Sequence, residues 1–191
     1  MRAESTIPFI EVESLERLDG IIVRNATHSD LPAIVALHNA LIPTTTVTWT
    51  DDLDTLEHRA AWFEHQEAAG HPVLVAEDEG RVVGFTCYEP FRGEGKQPGY
   101  RATAELSIHV RESHWGNGVG RALINALVER AQEDGIHVLV AAIDAENEPS
   151  VQFHGRLGFV EVARMPETGQ KFGRWLDLLL MQRIVDSRER P

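Results

Sequence analysis

The chain of 191 residues holds a single cysteine, Cys87, so it cannot form an internal disulfide. A disulfide framework is excluded and a reducing compartment fits. Cys87 lies in the apolar, strand-like run 82–88 and reads as a small core or pocket-wall residue rather than a nucleophile. Long hydrophobic runs are also missing: nothing approaches the ~20 apolar residues of a membrane-spanning helix. The first residues carry Glu4, Glu11, Glu13 and Glu16 and lack the basic start and apolar core of a signal peptide. Positive charge is scarce, with Lys+Arg 18 against Asp+Glu 30 and a net charge of −12. A general nucleic-acid binder shows a basic face, so nucleic acid is not expected as a partner. The acidity serves solubility, or helps attract a cationic amine. His58, His65 and His71 lack converging metal-ligand spacing, and no metal is expected. A cytoplasmic protein without membrane association is the resulting expectation.

What is present fits one buried domain, with 42% hydrophobic and 25% charged residues. Residues 1–20 show no clear periodicity and read as an appendage, partly helical around 14–18. The domain then runs over 21–185, with 186–191 as a tail. Strand-like 21–24 precedes an amphipathic helix bearing Leu31, Ile34, Val35, Leu37, His38 and Leu41, which Pro43 stops. Ser29 or Asp30 can cap it, with Pro32 in its first turn. Residues 44–49 read as a loop. A second helix is predicted over 53–69, closed by Gly70 and Pro72. Strands 73–77 and 81–88 flank the hairpin signal Asp78-Glu79-Gly80. A Gly-rich loop, 91–99, leads to strand 102–110. After a glycine loop come a helix carrying Val119, Leu123, Leu127, Val128 and Ala131, strand 137–143, a helix over 149–157, and closing strands 159–165 and 172–181. A strand-helix-strand core with hairpins at both ends gives a mixed sheet with helices packed on it.

The most informative stretch is His114-Trp115-Gly116-Asn117-Gly118-Val119-Gly120-Arg121, between a strand and a helix. Glycines let backbone approach a ligand, and a helix N-terminus offers free N–H groups and a positive dipole end to phosphate. No lysine follows for a Walker loop. A dinucleotide fingerprint starting at Gly116 and Gly118 needs a third glycine at 121, where Arg121 stands. Residues 115–120 instead resemble the acyl-CoA loop of the GNAT N-acetyltransferases, with Trp115 at the usual Gln/Arg position. Asn147-x-x-Ser150-x-x-Phe153-His154-x-x-x-Gly158-Phe159 resembles that family's second signature. Thr44-Thr45-Thr46-Val47-Thr48-Trp49, Pro90-Phe91-Arg92, Tyr100-Arg101-Ala102-Thr103-Ala104-Glu105 and Lys171-x-Gly173-x-Trp175-x-Asp177 resemble the phosphinothricin and methionine sulfoximine/sulfone acetyltransferases.

That resemblance, over residues 21 to about 183, implies an α/β (α+β) GNAT fold. Its central sheet is mixed and mostly antiparallel, with about six or seven strands, a splayed parallel pair and about four helices. It implies acetyl-CoA as co-substrate, a small amine acceptor and a homodimer. Pantetheine would pair with backbone around Ile108, His109 and Val110. The pyrophosphate would sit on Trp115, Gly116, Asn117, Gly118, Val119 and Gly120, with Arg121 adding charge and Asn147 contacting the cofactor. Trp115 cannot repeat the polar contact of Gln or Arg, so backbone donors carry the loop and Trp115 reads equally as packing. Glu105 is the implied general base, against a solvated strand residue in a salt bridge. His154 stands where many members have a proton-donating tyrosine, against a helix-end histidine bonded to backbone. Trp49, Arg92, Tyr100, Arg101 and Lys171 are implied on the acceptor side, against solvated loop residues. Two departures are Gly155, where glutamate is common, and a longer 93–99 loop. Other small amines or a protein N-terminus remain possible acceptors, and a non-catalytic acyl-CoA sensor is the alternative from another class.

Overall fold

The computed structural model describes residues 15–18, 20–93 and 97–188. One sheet contains β1 (Leu15–Leu18), β2 (Ile21–Asn25), β3 (Val73–Asp78), β4 (Arg81–Pro90), β5 (Thr103–Val110), β6 (Val138–Asp144), β7 (Val160–Lys171) and β8 (Arg174–Ile184). Their spatial order is β1-β2-β3-β4-β5-β6-β8-β7. Every pairing is antiparallel except β5 with β6, which are joined by a helical crossover. This is the anticipated mixed sheet with one short strand added at its edge. The helices are α1 (Leu31–Leu41), α2 (Leu56–Ala69), α3 (Val119–Glu133) and α4 (Glu148–Arg156).

Residues 15–18, expected to lean toward helix, form β1 instead. Gly20, at φ +98, reverses the chain so that Leu18 pairs with Ile21 and Leu15 with Val23. Four residues cannot repay helix nucleation, whereas an adjacent strand offers ready partners. The rest of the expected appendage, residues 1–14, lies outside the described residues. At the other end the domain outlasts its expected border: Val185 is buried, Asp186 bonds His137 at 2.6 Å, and Arg188 reaches the Gly135 carbonyl at 2.8 Å. The α2 helix starts at 56 rather than 53. The Asn39 side chain holds the backbone of Asp54 at 2.8 Å through both its N–H and its carbonyl, and Thr55 caps the helix by accepting from the His58 N–H at 3.1 Å. The closing strands, expected over 159–165 and 172–181, instead run on to a tight turn at Phe172-Gly173. Bulges within β7 absorb the mismatch.

The sheet is packed on both faces. Val119, Leu123, Leu127 and Ala131 of α3 bury against Leu74, Val83, Ala104, Leu106 and Leu139. On the opposite face Ile34 and Leu37 of α1 and Phe63 of α2 cover Val75, Phe85 and Cys87. Burial pushes the Cys87 thiol up to about 12, which keeps it protonated and inert. The period-2 alternation of β5 therefore sorts its residues by face. Ala104, Leu106 and Ile108 look to the α3 side, and Glu105, Ser107 and His109 look to the α1–α2 side.

Candidate active site

The parallel pair opens partway along. β5 pairs with β6 from Thr103/Val138 to Leu106/Ala141 and no farther, although β5 continues to Val110 and β6 to Asp144. Across the sheet, Phe91 N–H donates to Thr103 O at 3.1 Å and Arg111 N–H to Val83 O at 2.8 Å. In an antiparallel ladder bonded pairs alternate, so odd-numbered β5 residues turn their backbone groups to β4. Pro90, which has no N–H, sits opposite Ala104 in a non-bonded position, where it costs nothing. Even-numbered residues turn theirs toward β6. Beyond Leu106 that neighbour is gone, and the backbone groups of Ile108 and Val110 face the gap. His109 differs: its backbone belongs to β4 and its ring to the α1–α2 face. The gap is a cleft lined by Leu106, Ile108, His109, Ile143, Asn147 and His154. The cleft is partly open to solvent.

The glycine loop carries the chain from the end of β5 into α3. Gly116 and Gly118 have φ of +78 and +85, a left-handed backbone that suits glycine and delivers the chain to the α3 N-terminus. A Cβ on Gly120 would lie 3.0 Å from the Phe153 ring, so this glycine brings α3 against α4. Ala122 N–H bonds the Gly118 carbonyl, which leaves the preceding N–H groups of the first turn free for an anion. Arg121 is exposed beside them. Trp115 donates from Nε1 to the Val110 carbonyl at 2.8 Å while its ring is 53% exposed. It is therefore a brace between loop and strand with an open indole face, not a buried packing residue.

The α4 helix lines the other wall. Asn147 caps it, its Oδ1 accepting from Ser150 N–H at 3.2 Å, so Nδ2 is the group left to donate. His154 is 3% exposed, edge-on to Phe153 and Phe159. Its Nδ1 lies 2.9 Å from the Ser150 carbonyl, which can only accept, so the proton is on Nδ1. Burial holds its pKa below the ordinary histidine value. A neutral ring protonated at Nδ1 presents a lone pair at Nε2, an atom that is buried without a partner among the described residues. This arrangement accepts a hydrogen bond and does not supply a proton.

On the α1–α2 face, Glu105 lies directly opposite Glu89 of β4. Desolvation first, and the neighbouring Glu89 charge second, raise the Glu105 carboxyl above its ordinary range. Trp62 Nε1 donates to Glu89 at 2.9 Å and fixes that neighbour. Glu105 sits one residue before the cleft lining begins. Past it, at the far end of β5, Arg92 (φ +66) stacks over Tyr100 with its guanidinium carbon 5.6 Å from the ring centroid and donates to the phenol at 3.3 Å. Arg101 is exposed beside them and donates to Pro98 O at 3.3 Å. Residues 94–96 of that loop, Lys96 included, lie outside the described residues.

Two expected acceptor residues prove to be loop anchors. Lys171 is 2% exposed and its ammonium donates to Thr45 O at 2.9 Å and Thr48 O at 2.6 Å. Trp49 donates to Thr46 O at 3.1 Å and lays its ring so close to Gly169 that a Cβ there would come within 2.0 Å of it. Together they clip the 44–49 loop to the β7–β8 hairpin. Thr46 then bonds Asp144, a buried carboxylate at the end of β6 on the cleft wall.

A splayed parallel pair, backbone groups facing the gap and a glycine-cradled helix N-terminus form a set that fits an acyl-CoA. The family model of the GNAT acetyltransferases matches residues 34–159. The chain belongs to this family. This GNAT chain is 44% identical over 165 residues to the L-methionine sulfoximine/L-methionine sulfone acetyltransferase of Pseudomonas paraeruginosa, covering 86% of this chain and 94% of that one. It superimposes on a Salmonella typhimurium acetyltransferase solved with acetyl-CoA, at TM-score 0.85 and 38% identity over 91% and 98% of the two chains. It is also similar to a ribosomal-protein-alanine N-acetyltransferase of Brucella melitensis, at TM-score 0.81 and 46% identity over 85% and 98%. Among the described residues no group of three His, Cys, Asp or Glu side chains could hold a metal ion.

Sequence reading missed several residues that the fold gathers here. Asp144 ends an apolar strand with a lone carboxylate, which is a faint signal. His38, Trp62 and Glu89 gather around His109 and Glu105 from α1, α2 and β4, with Asp54 and Arg59 paired beside Trp62, and carry no motif.

Proposed function

We propose that the enzyme acetylates the α-amine of a small amino acid analogue of the methionine sulfoximine, methionine sulfone or phosphinothricin type, with acetyl-CoA as donor. Acetyl-CoA, when bound, supplies the thioester acetyl group. Ile108 and Val110 offer backbone groups to pantetheine, the loop 115–120 with Arg121 holds the pyrophosphate, and Asn147 adds a donor. The Ile108 N–H also polarises the carbonyl. Glu105, with its raised pKa, takes the ammonium proton directly or through a water and so frees the nucleophilic amine. His154 is assigned as a hydrogen-bond acceptor in the cleft wall instead of the general acid, so the CoA thiolate displaced from the acetyl carbon by the amine would take its proton from solvent.

The observation that carries the acceptor reading is the layout of one face. A carboxylate base at the point of splay is followed by Arg92, Tyr100 and Arg101, which suit the carboxylate of an amino acid. The likeness to the Pseudomonas enzyme supports the same class, while the likeness to the Brucella protein favours a protein N-terminus as the second reading. Colorimetric thiol release from acetyl-CoA separates them. Turnover with methionine sulfoximine well above that with N-terminal alanine peptides is expected, and the reverse order would establish the second reading. We also place the enzyme in the cytoplasm as a homodimer. The exposed Val160 and Met165, beside half-buried Leu178 and Leu180, form an apolar strip that α1 and α2 do not cover. Light scattering showing a monomer at micromolar concentration would remove the dimer.

A further inference from the structure

The fold leaves a histidine pair unsatisfied behind the acceptor face. His109 follows Glu105 and Ser107 on one side of β5 and is 8% exposed. Its ring stacks on Phe85, with centroids 4.7 Å apart and planes 3° off parallel, and lies 5.3 Å from His38 of α1. Neither His109 Nδ1 nor Nε2 has a hydrogen-bond partner among the described residues, and His38 Nδ1 has none. A neutral imidazole carries one N–H and one lone pair in either tautomer, so His109 leaves both a buried donor and a buried acceptor unmade. Buried polar groups in native proteins are rarely left so without a ligand or water to complete them. Charging the ring gives no relief. Desolvation first, then His38 and Arg59, push its pKa down to about 3.

Position says which part of an acceptor could complete them. His109 lines the cleft. Same-face neighbours on a strand stand about 7 Å apart. An amine held at Ser107–Ile108, where acetyl transfer would occur, therefore has its side-chain end over His109 if its carboxylate turns toward Arg92 and Arg101. The cationic end of the site suits the charged group, and the neutral imidazole suits an uncharged polar one.

We infer that His109, backed by His38, recognises the oxidised head group of the acceptor through one ring nitrogen, donating to the S=O oxygen in one tautomer or accepting the sulfoximine N–H in the other. This rests on the proposed amino acid acceptor. Methionine offers neither contact and should be rejected. The experiment measures kcat and KM for L-methionine sulfoximine and L-methionine at saturating acetyl-CoA in the wild type, His109→Phe and His109→Gln. Calorimetry of sulfoximine binding to the CoA-saturated enzyme gives a second readout, and a thermal shift on adding acetyl-CoA verifies that each variant is folded. His109→Phe keeps the stack on Phe85, and the sulfoximine-to-methionine selectivity should fall about 10- to 100-fold, mainly through KM, with Kd weakened in parallel. His109→Gln, which retains a donor and an acceptor, should recover most of it. Equal losses for both acceptors would make His109 merely structural, and unchanged selectivity would mean water satisfies it. A wild type indifferent to the head group overturns the inference but leaves the acetyltransferase reading intact. Acetylation of neither amino acid overturns the acceptor reading and the inference with it.

Discussion

In the proposed site the donor half is made of backbone and the acceptor half of side chains. Around the cleft the groups proposed for the donor are the N–H and C=O of Ile108, the N–H of Val110, the left-handed Gly116 and Gly118, and the first turn of α3. Across the sheet they are Glu105, Glu89, His109, Arg92 and the clipped 44–49 loop, gathered from two strands and two loops. A backbone site tolerates changes of side chain, as Trp115 shows at a position usually polar. A side-chain site does not, because each group depends on a neighbour that sets its charge or direction. Acceptor specificity can thus diverge while the donor is kept.

This contrast predicts unequal costs. Glu105→Gln should lower kcat/KM by roughly 10²–10⁴ and leave acetyl-CoA affinity unchanged, which steady-state kinetics with calorimetry would detect. The base works deprotonated, so wild-type activity should fall as pH drops through a pKa above the ordinary carboxylate range, and this limb should vanish in the variant. Glu89→Gln removes the like charge opposite and should move the same limb to lower pH. Gly169→Ala forces the Trp49 ring from its seat and should raise acceptor KM on the order of tenfold with little change for acetyl-CoA. An equal rise in both would blur the division between the halves.

On the donor side, Gly118→Ala places a Cβ at φ +85 and should cost about 1–2 kcal/mol, a loss of a few degrees in Tm. A comparable effect concerns protons in the walls. His109 and His154 have folded pKa values depressed below the unfolded value near 6.5, so their contribution is complete above that pH. It is lost as pH falls toward about 3 for His109, at a slope of about 1.4 kcal/mol per pH unit per histidine. Denaturant titrations at pH 7 and pH 5 should show His109→Phe with the shallower acid loss. A pH–rate profile of His154→Phe that loses a basic limb would restore the general-acid role denied here.

Legibility followed the same division. The glycine loop, the α3 face and the Asn147 cap were readable because each is local: a turn, a period or a cap is fixed by residues a few positions apart. Lys171 was read as an acceptor contact because its motif fits, yet its ammonium points back to the Thr45 and Thr48 carbonyls. His154 matched a motif position, but its proton sits on Ser150's carbonyl, a fact of helix geometry and burial. Residues 15–18 were misjudged because pairing with β2 outweighs the weak preferences of four residues.

Short-range spacing in the sequence determined the order of the elements and a phosphate cradle at 115–120, because turn conformation and hydrophobic period are local, and the resemblance of that loop to the GNAT acyl-CoA loop pointed to the donor. Tertiary structure alone decided that β5 parts from β6 after Leu106, that Glu105 meets Glu89 and that His109 is stacked, buried and unpartnered. Those are properties of contacts between distant segments, where desolvation and neighbouring charge give a side chain chemistry that its residue type does not specify.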